Sequence, residues 1–155
     1  MLEVFNLSEI NIPYGILHDQ RLNEVKCEGN RFVFTFDIKI HPEDYTNDYY
    51  KQYLDYKHCD MIVCMNDEPF NYFRMISALN NKGEFKGISL NREDFLEALN
   101  NSDSVTFVDC SATYNEFAIE LCASFYKAKG KFKKYKKYGM CYALIDTEKV
   151  EWKWY

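Results

Sequence analysis

Several things are scarce in this chain of 155 residues. It has six glycines and three histidines, and it carries no Gly-rich phosphate loop, no GxSxG elbow, no HExxH and no Ser/His/Asp series in a recognisable context. Little material is left for a catalytic centre of familiar type, so the chain reads as non-catalytic. No apolar run approaches the roughly 18 residues that a membrane-spanning helix requires. The opening MLEVFNLSEINIPYG lacks the basic and apolar stretches of a secretory signal. A cytoplasmic protein with no membrane association is therefore expected. None of the six cysteines forms a CxxC pair, and His58-Cys59 followed by Cys64 has no second ligand pair downstream. No metal or cofactor is expected, and the cysteines read as reduced thiols, with Cys122 and Cys141 as small hydrophobes in a core.

What is abundant is aromatic: 13 Tyr, 12 Phe and 2 Trp in a chain that is 47% hydrophobic and 28% charged, the composition of a folded domain. Single-domain organisation over residues 1–155 is the default at this length. The net charge of -5 is unevenly distributed. Seven of the 19 basic residues lie between Lys127 and Lys137, so the remainder carries 12 basic against 24 acidic groups, or -12.

Strand signals dominate. In RFVFTFDIKI, Phe32, Phe34, Phe36, Ile38 and Ile40 alternate with Arg31, Val33, Thr35, Asp37 and Lys39, a period of two over ten positions. Leu22 to Lys26 precedes it across a turn containing Gly29-Asn30, and His41-Pro42 stops it. Asp60 to Met65 reads as a buried strand, and Tyr72 to Leu79 with Glu84 to Leu90 reads as a hairpin. Ser104 to Cys110 and Phe117 to Phe125 are further strands, the latter because its alternation outranks its helical propensity. Met140 to Ile145 and Val150 to Tyr155 are expected as two strands separated by a turn at Asp146-Thr147. Asn91 as N-cap opens a short helix over Arg92 to Leu99. Tyr45, Tyr49, Tyr53 and Tyr56 share a helical spacing that predicts a second helix within Glu43–Lys57. The fold class that follows is α+β and β-rich, a mostly antiparallel sheet, sandwich or half-barrel, with one or two short helices.

Three segments are candidate sites. His18-Asp19 offers an acid/base pair or a partner contact, although neighbours on an extended segment point to opposite faces and converge only across a turn. In KAKGKFKKYKKYG, Lys131, Lys133, Lys134 and Lys136 interleave with Phe132 and Tyr135, the pattern of a groove for single-stranded nucleic acid. The alternative is a solvated edge or loop whose lysines prevent edge pairing, and the acidic remainder of the chain argues against nucleic acid. The third segment sets Tyr45, Tyr49 and Tyr53 among Asp44, Asp48 and Asp55, which suits either an interface for a basic partner or a helix packing its tyrosines on a sheet.

The segment YGILHDQRLNEVKCEGNRFVFTFDI resembles the opening of a set of small bacterial proteins that begin with a Leu-His-Asp element and continue into an amphipathic β-hairpin. Leu17, His18, Asp19, Leu22, Glu24, Val25, Phe32, Phe34 and Phe36 carry the resemblance, which spans about residues 14–40. It implies a β-rich fold without catalysis, similar to immunity proteins of polymorphic toxins. The reading that follows is a non-catalytic protein-binding module, an immunity-type inhibitor of a basic toxin, contacting its partner through His18, Asp19, Tyr45, Asp48, Tyr49 and Tyr53. The alternative is a single-stranded nucleic-acid-binding protein using Lys127–Tyr138. The carboxyl-terminal Trp152-Lys153-Trp154-Tyr155, aromatic on both faces, offers an edge for a homodimer.

Overall fold

The computed structural model describes residues 1–6, 14–41, 48–66, 71–113 and 115–155. Among the described residues nine strands form: β1 (Leu2–Asn6), β2 (Arg21–Glu28), β3 (Arg31–Asp37), β4 (His58–Met65), β5 (Asn71–Ser77), β6 (Gly87–Leu90), β7 (Ser104–Thr113), β8 (Glu116–Ser124) and β9 (Tyr138–Trp154). Helices α1 (Tyr14–Leu17), α2 (Asp48–Lys51) and α3 (Arg92–Asn100), and a 3₁₀ helix at Gly130–Tyr135, complete the described elements. The expected class holds: this is one large antiparallel sheet with few, short helices.

The sheet rolls up around β9. Its first half pairs β8 and β5, and its second half pairs β4 and β1. Because β4 also pairs β3, β3 pairs β2, β2 meets β7 and β7 pairs β8, six strands close into a ring. The β2–β7 seam is short, with Arg21 opposite Thr106, and the Asp19 and Phe107 amides donating to Phe107 and Gln20 carbonyls. Beyond it the Asn100 side chain exchanges two hydrogen bonds with the backbone of Val25, replacing the missing ladder.

The turn expected at Asp146-Thr147 does not form; β9 runs through it. Thr147 is buried, its hydroxyl donates to the Cys64 carbonyl, and it accepts from the Lys149 amide. These bonds hold an irregularity in the ladder rather than a chain reversal. The inward set changes there from Cys141, Ala143 and Ile145 to Val150, Trp152 and Trp154. That switch of parity lets one strand serve both halves of the ring.

Inside lies one cluster of buried side chains. Phe32, Phe34 and Phe36 all point into it, as the alternation predicts. Helix α3 starts at Asn91, whose side chain accepts from the Asp94 amide, and it buries Phe95, Ala98 and Leu99, stacking Phe95 on Phe73 at 4.8 Å. Cys141 is buried, but Cys122 is exposed on the opposite face of the sheet, contrary to the core placement expected for both. The hairpin at Gly29-Asn30 turns through a left-handed Gly29, φ 58°. No helix among the described residues is long and apolar enough to cross a membrane.

Candidate functional site

The register carries three segments to one end of the ring. Arg21 at the start of β2 lies opposite Asp37 at the end of β3, and Asp37 lies opposite His58 at the start of β4. His18, His41 and His58, all the histidines of the chain, therefore gather at that end, a convergence invisible in sequence because it is made by strand pairing.

His18 and Asp19 do converge, because a turn separates them from β2. Ile16 and Leu17 of α1 are fully buried and anchor the segment. Asp19 adopts a left-handed conformation, φ 63°, which is unusual outside glycine and tolerated best by Asn and Asp. Its amide donates to the Phe107 carbonyl at 3.0 Å, and the Gln20 amide closes back on the Leu17 carbonyl at 2.9 Å. Gln20 itself is buried, and its side chain bonds both backbone groups of Lys39, accepting from the amide at 2.7 Å and donating to the carbonyl at 3.2 Å. On this platform His18 Nδ1 stands 3.1 Å from Asp19 Oδ2, with the two side chains 55% and 83% exposed. The pair is fixed from below and open above.

Lys39 belongs to the wall of a cleft of about 490 Å³ that is also lined by Asp37, His41, Leu54, Tyr56 and His58. His58 Nδ1 lies 3.0 Å from Asp37 Oδ1, which also accepts from the Asn23 amide group. The His58 ring lies 5.5 Å from that of Tyr155, whose hydroxyl donates to Asp60 at 3.2 Å. Partial burial, and then the Asp60 carboxylate, raise the pKa of that phenol. His18 and Asp19 stand outside this cleft, so the structure makes two separate histidine–carboxylate pairs rather than one converging centre. Among the described residues no group of three or more His, Cys, Asp and Glu side chains is placed to hold a metal ion.

The tyrosine segment departs from expectation. Among the described residues the helix is α2, Asp48–Lys51, and turns follow it, so it stops short of Lys57; residues 43–47 lie outside the described residues. Tyr45 and Asp44 lie outside the described residues, as does the side chain of Tyr49. Asp48 is exposed and pairs with Lys51. Tyr53 is not a surface residue: it is fully buried, packs 4.6 Å from Trp154 and donates its hydroxyl to Glu3 at 2.8 Å. A tyrosine that buries its ring and finds an internal acceptor is satisfied without a partner protein.

The lysine segment is solvated, as the alternative to a nucleic-acid groove expects. Lys129 caps a 3₁₀ helix, and Tyr135 is buried against Phe125 with ring centroids 5.5 Å apart, while Phe132 packs partly into the core. The buried Tyr135 ring is therefore no platform on which a base could stack. Lys131 is held by Glu97 at 2.6 Å. Lys133, Lys134 and Lys136 are exposed and have no carboxylate partner among the described residues. The segment is a solvated rim fastened by its aromatic residues.

Comparison of the chain with protein-family models, with curated proteins and with solved structures returns no match.

Proposed function

We propose that this chain is a non-catalytic protein-binding module of the immunity-inhibitor kind, and that it presents His18 and Asp19 to a basic protein partner. The observation that carries this reading is the construction of the turn. Two exposed polar side chains sit on a backbone that is held in a left-handed conformation by buried neighbours and by hydrogen bonds from Gln20 and Asp19. Such conformations persist where the surroundings over-determine them, and they recur where a surface is pre-organised for contact. The pair stands on a protruding turn outside the neighbouring cleft, which suits recognition by a protein surface better than chemistry on an enclosed small molecule. Asp19 and exposed Asp48 supply acidic contacts for a basic partner, and the charge of -12 outside the lysine segment would speed its approach.

Affinity capture from the native host with the full chain tests this. Wild-type protein is expected to retain a basic protein that Asp19→Lys does not retain, while Lys133→Glu retains it. Equal capture by wild type and Asp19→Lys, or salt-sensitive retention of single-stranded nucleic acid in place of protein, would overturn the reading.

A further inference from the structure

The outer face of β8, β9 and β5 holds a second surface, independent of the histidine-bearing end. Inward side chains of these strands fill the core, which leaves Ala118, Glu120 and Cys122 of β8, Met140, Tyr142 and Leu144 of β9, and Tyr72, Arg74 and Ile76 of β5 on the outside. The register sets them in three rows: Ala118, Leu144 and Tyr72; Glu120, Tyr142 and Arg74; Cys122, Met140 and Ile76.

The middle row is the informative one. Glu120 and Arg74 are both half-buried, and neither has an ion-pair or hydrogen-bond partner among the described residues. They flank Tyr142 on opposite sides, two strand spacings or about 10 Å apart, too far to pair within one molecule. The Arg74 guanidinium lies over Gly87 of β6, where a Cβ would stand 2.4 Å from Arg74 Nε, so a side chain at that position would turn the arginine aside. Opposite charges left half-desolvated and unpaired at fixed separation call for a partner carrying the same two charges in reverse order.

A second copy of this chain does so. We propose that the protein forms a two-fold homodimer through this face, with the axis running along β9 at Tyr142. Rotation about that axis keeps each row opposite itself and exchanges its sides. Arg74 of each copy then meets Glu120 of the other, Tyr72 meets the small Ala118, and Ile76 meets Cys122. Large side chains of β5 fall on small ones of β8, which is the self-complementarity that an isologous interface demands. An axis across the strands would instead set Arg74 against Arg74 and Glu120 against Glu120. The two sheets pack with strands aligned to within the usual twist of about 30°.

Sedimentation velocity of the full chain from micromolar to millimolar concentration tests the proposal. Wild type is expected to dimerise. Arg74→Glu and Glu120→Arg singly weaken self-association at least about tenfold, and the double reversal restores it. Both substituted positions face outward, so near-native circular dichroism is expected and is checked first. A monomer throughout the range, unchanged dimerisation of both single variants, or a double variant no better than the singles would overturn it.

Discussion

Glu3 of β1 accepts the indole N–H of Trp154 of β9 at 2.7 Å, and this bond ties the first strand of the chain to the last. The other oxygen of the same carboxylate accepts the Tyr53 hydroxyl. One acidic side chain thus satisfies two aromatic donors that are otherwise buried.

Hydrogen bonds to charged groups contribute about 1.5–3 kcal/mol each, and a donor left buried without an acceptor is costly. Glu3→Ala is therefore expected to lower the unfolding free energy by about 3 kcal/mol, and Glu3→Gln by clearly less, because the amide oxygen still accepts. Urea denaturation measures both, and equal losses would contradict the assignment.

Trp152 and Trp154 make a sharper comparison. Both are buried, but the Trp152 indole N–H has no hydrogen-bond partner among the described residues. Replacement by Phe removes similar volume at both sites. At Trp154 it also takes away one of the two donors that the Glu3 carboxylate accepts, whereas at Trp152 no such bond is lost. Trp154→Phe should destabilise by about 2 kcal/mol more than Trp152→Phe.

The Asp19 backbone separates scaffold from site. Glycine relieves a left-handed strain of about 1 kcal/mol and adds a comparable unfolded-state entropy, so Asp19→Gly should leave stability nearly unchanged. Asp19→Val places a branched side chain at positive φ and should cost about 1–3 kcal/mol. Both should lose partner capture. Retention of capture by the stable glycine variant would show that the Asp19 side chain is not the contact.

Three buried thiols give the stability a pH dependence. Burial pushes Cys110 and Cys141 up to about 12, and Cys59 well above its ordinary value. Above a pH near 9 the unfolded thiols release protons that the folded ones keep, so the native state binds more protons and stability falls as pH rises. Each thiol contributes a loss of about 1.4 kcal/mol per pH unit in that window. Denaturation between about pH 9.5 and 11, set beside Cys141→Ala, should show the slope reduced by about one such increment. In neutral solution, at concentrations low enough for the chain to be monomeric, exposed Cys122 should react with a thiol reagent well before Cys59, Cys110 or Cys141.

The parts of the fold legible beforehand were those in which local pattern and tertiary environment agree. Phe32, Phe34 and Phe36 alternate because one face of β3 is core, and Asn91 caps α3 because an orphan amide needs an acceptor. Strand β1 was missed, since Leu2 and Val4 are exposed and alternate only with the half-buried Glu3. The Asp146-Thr147 turn was misread because a polar pair signals a reversal unless it is buried, and burial of Thr147 comes from Cys64, far away in the chain. The tyrosine spacing misled in the same way: Tyr53 is held by Glu3 and Trp154, from the two ends of the sequence. At the site, the His18-Asp19 pair was visible as residues, but the platform that aims it depends on Gln20 reaching Lys39 and on Phe107.

The central claim is that the partner is met at the turn bearing His18 and Asp19. Site-specific photo-crosslinking tests it most directly, with a benzophenone side chain introduced in place of His18 in one preparation and of Lys133 in another, each illuminated in host extract. One discrete adduct with a basic protein is expected from the His18 position, abolished by Asp19→Lys in the same chain, and none from Lys133. An adduct from Lys133 alone, or one from His18 that survives Asp19→Lys unchanged, would contradict it.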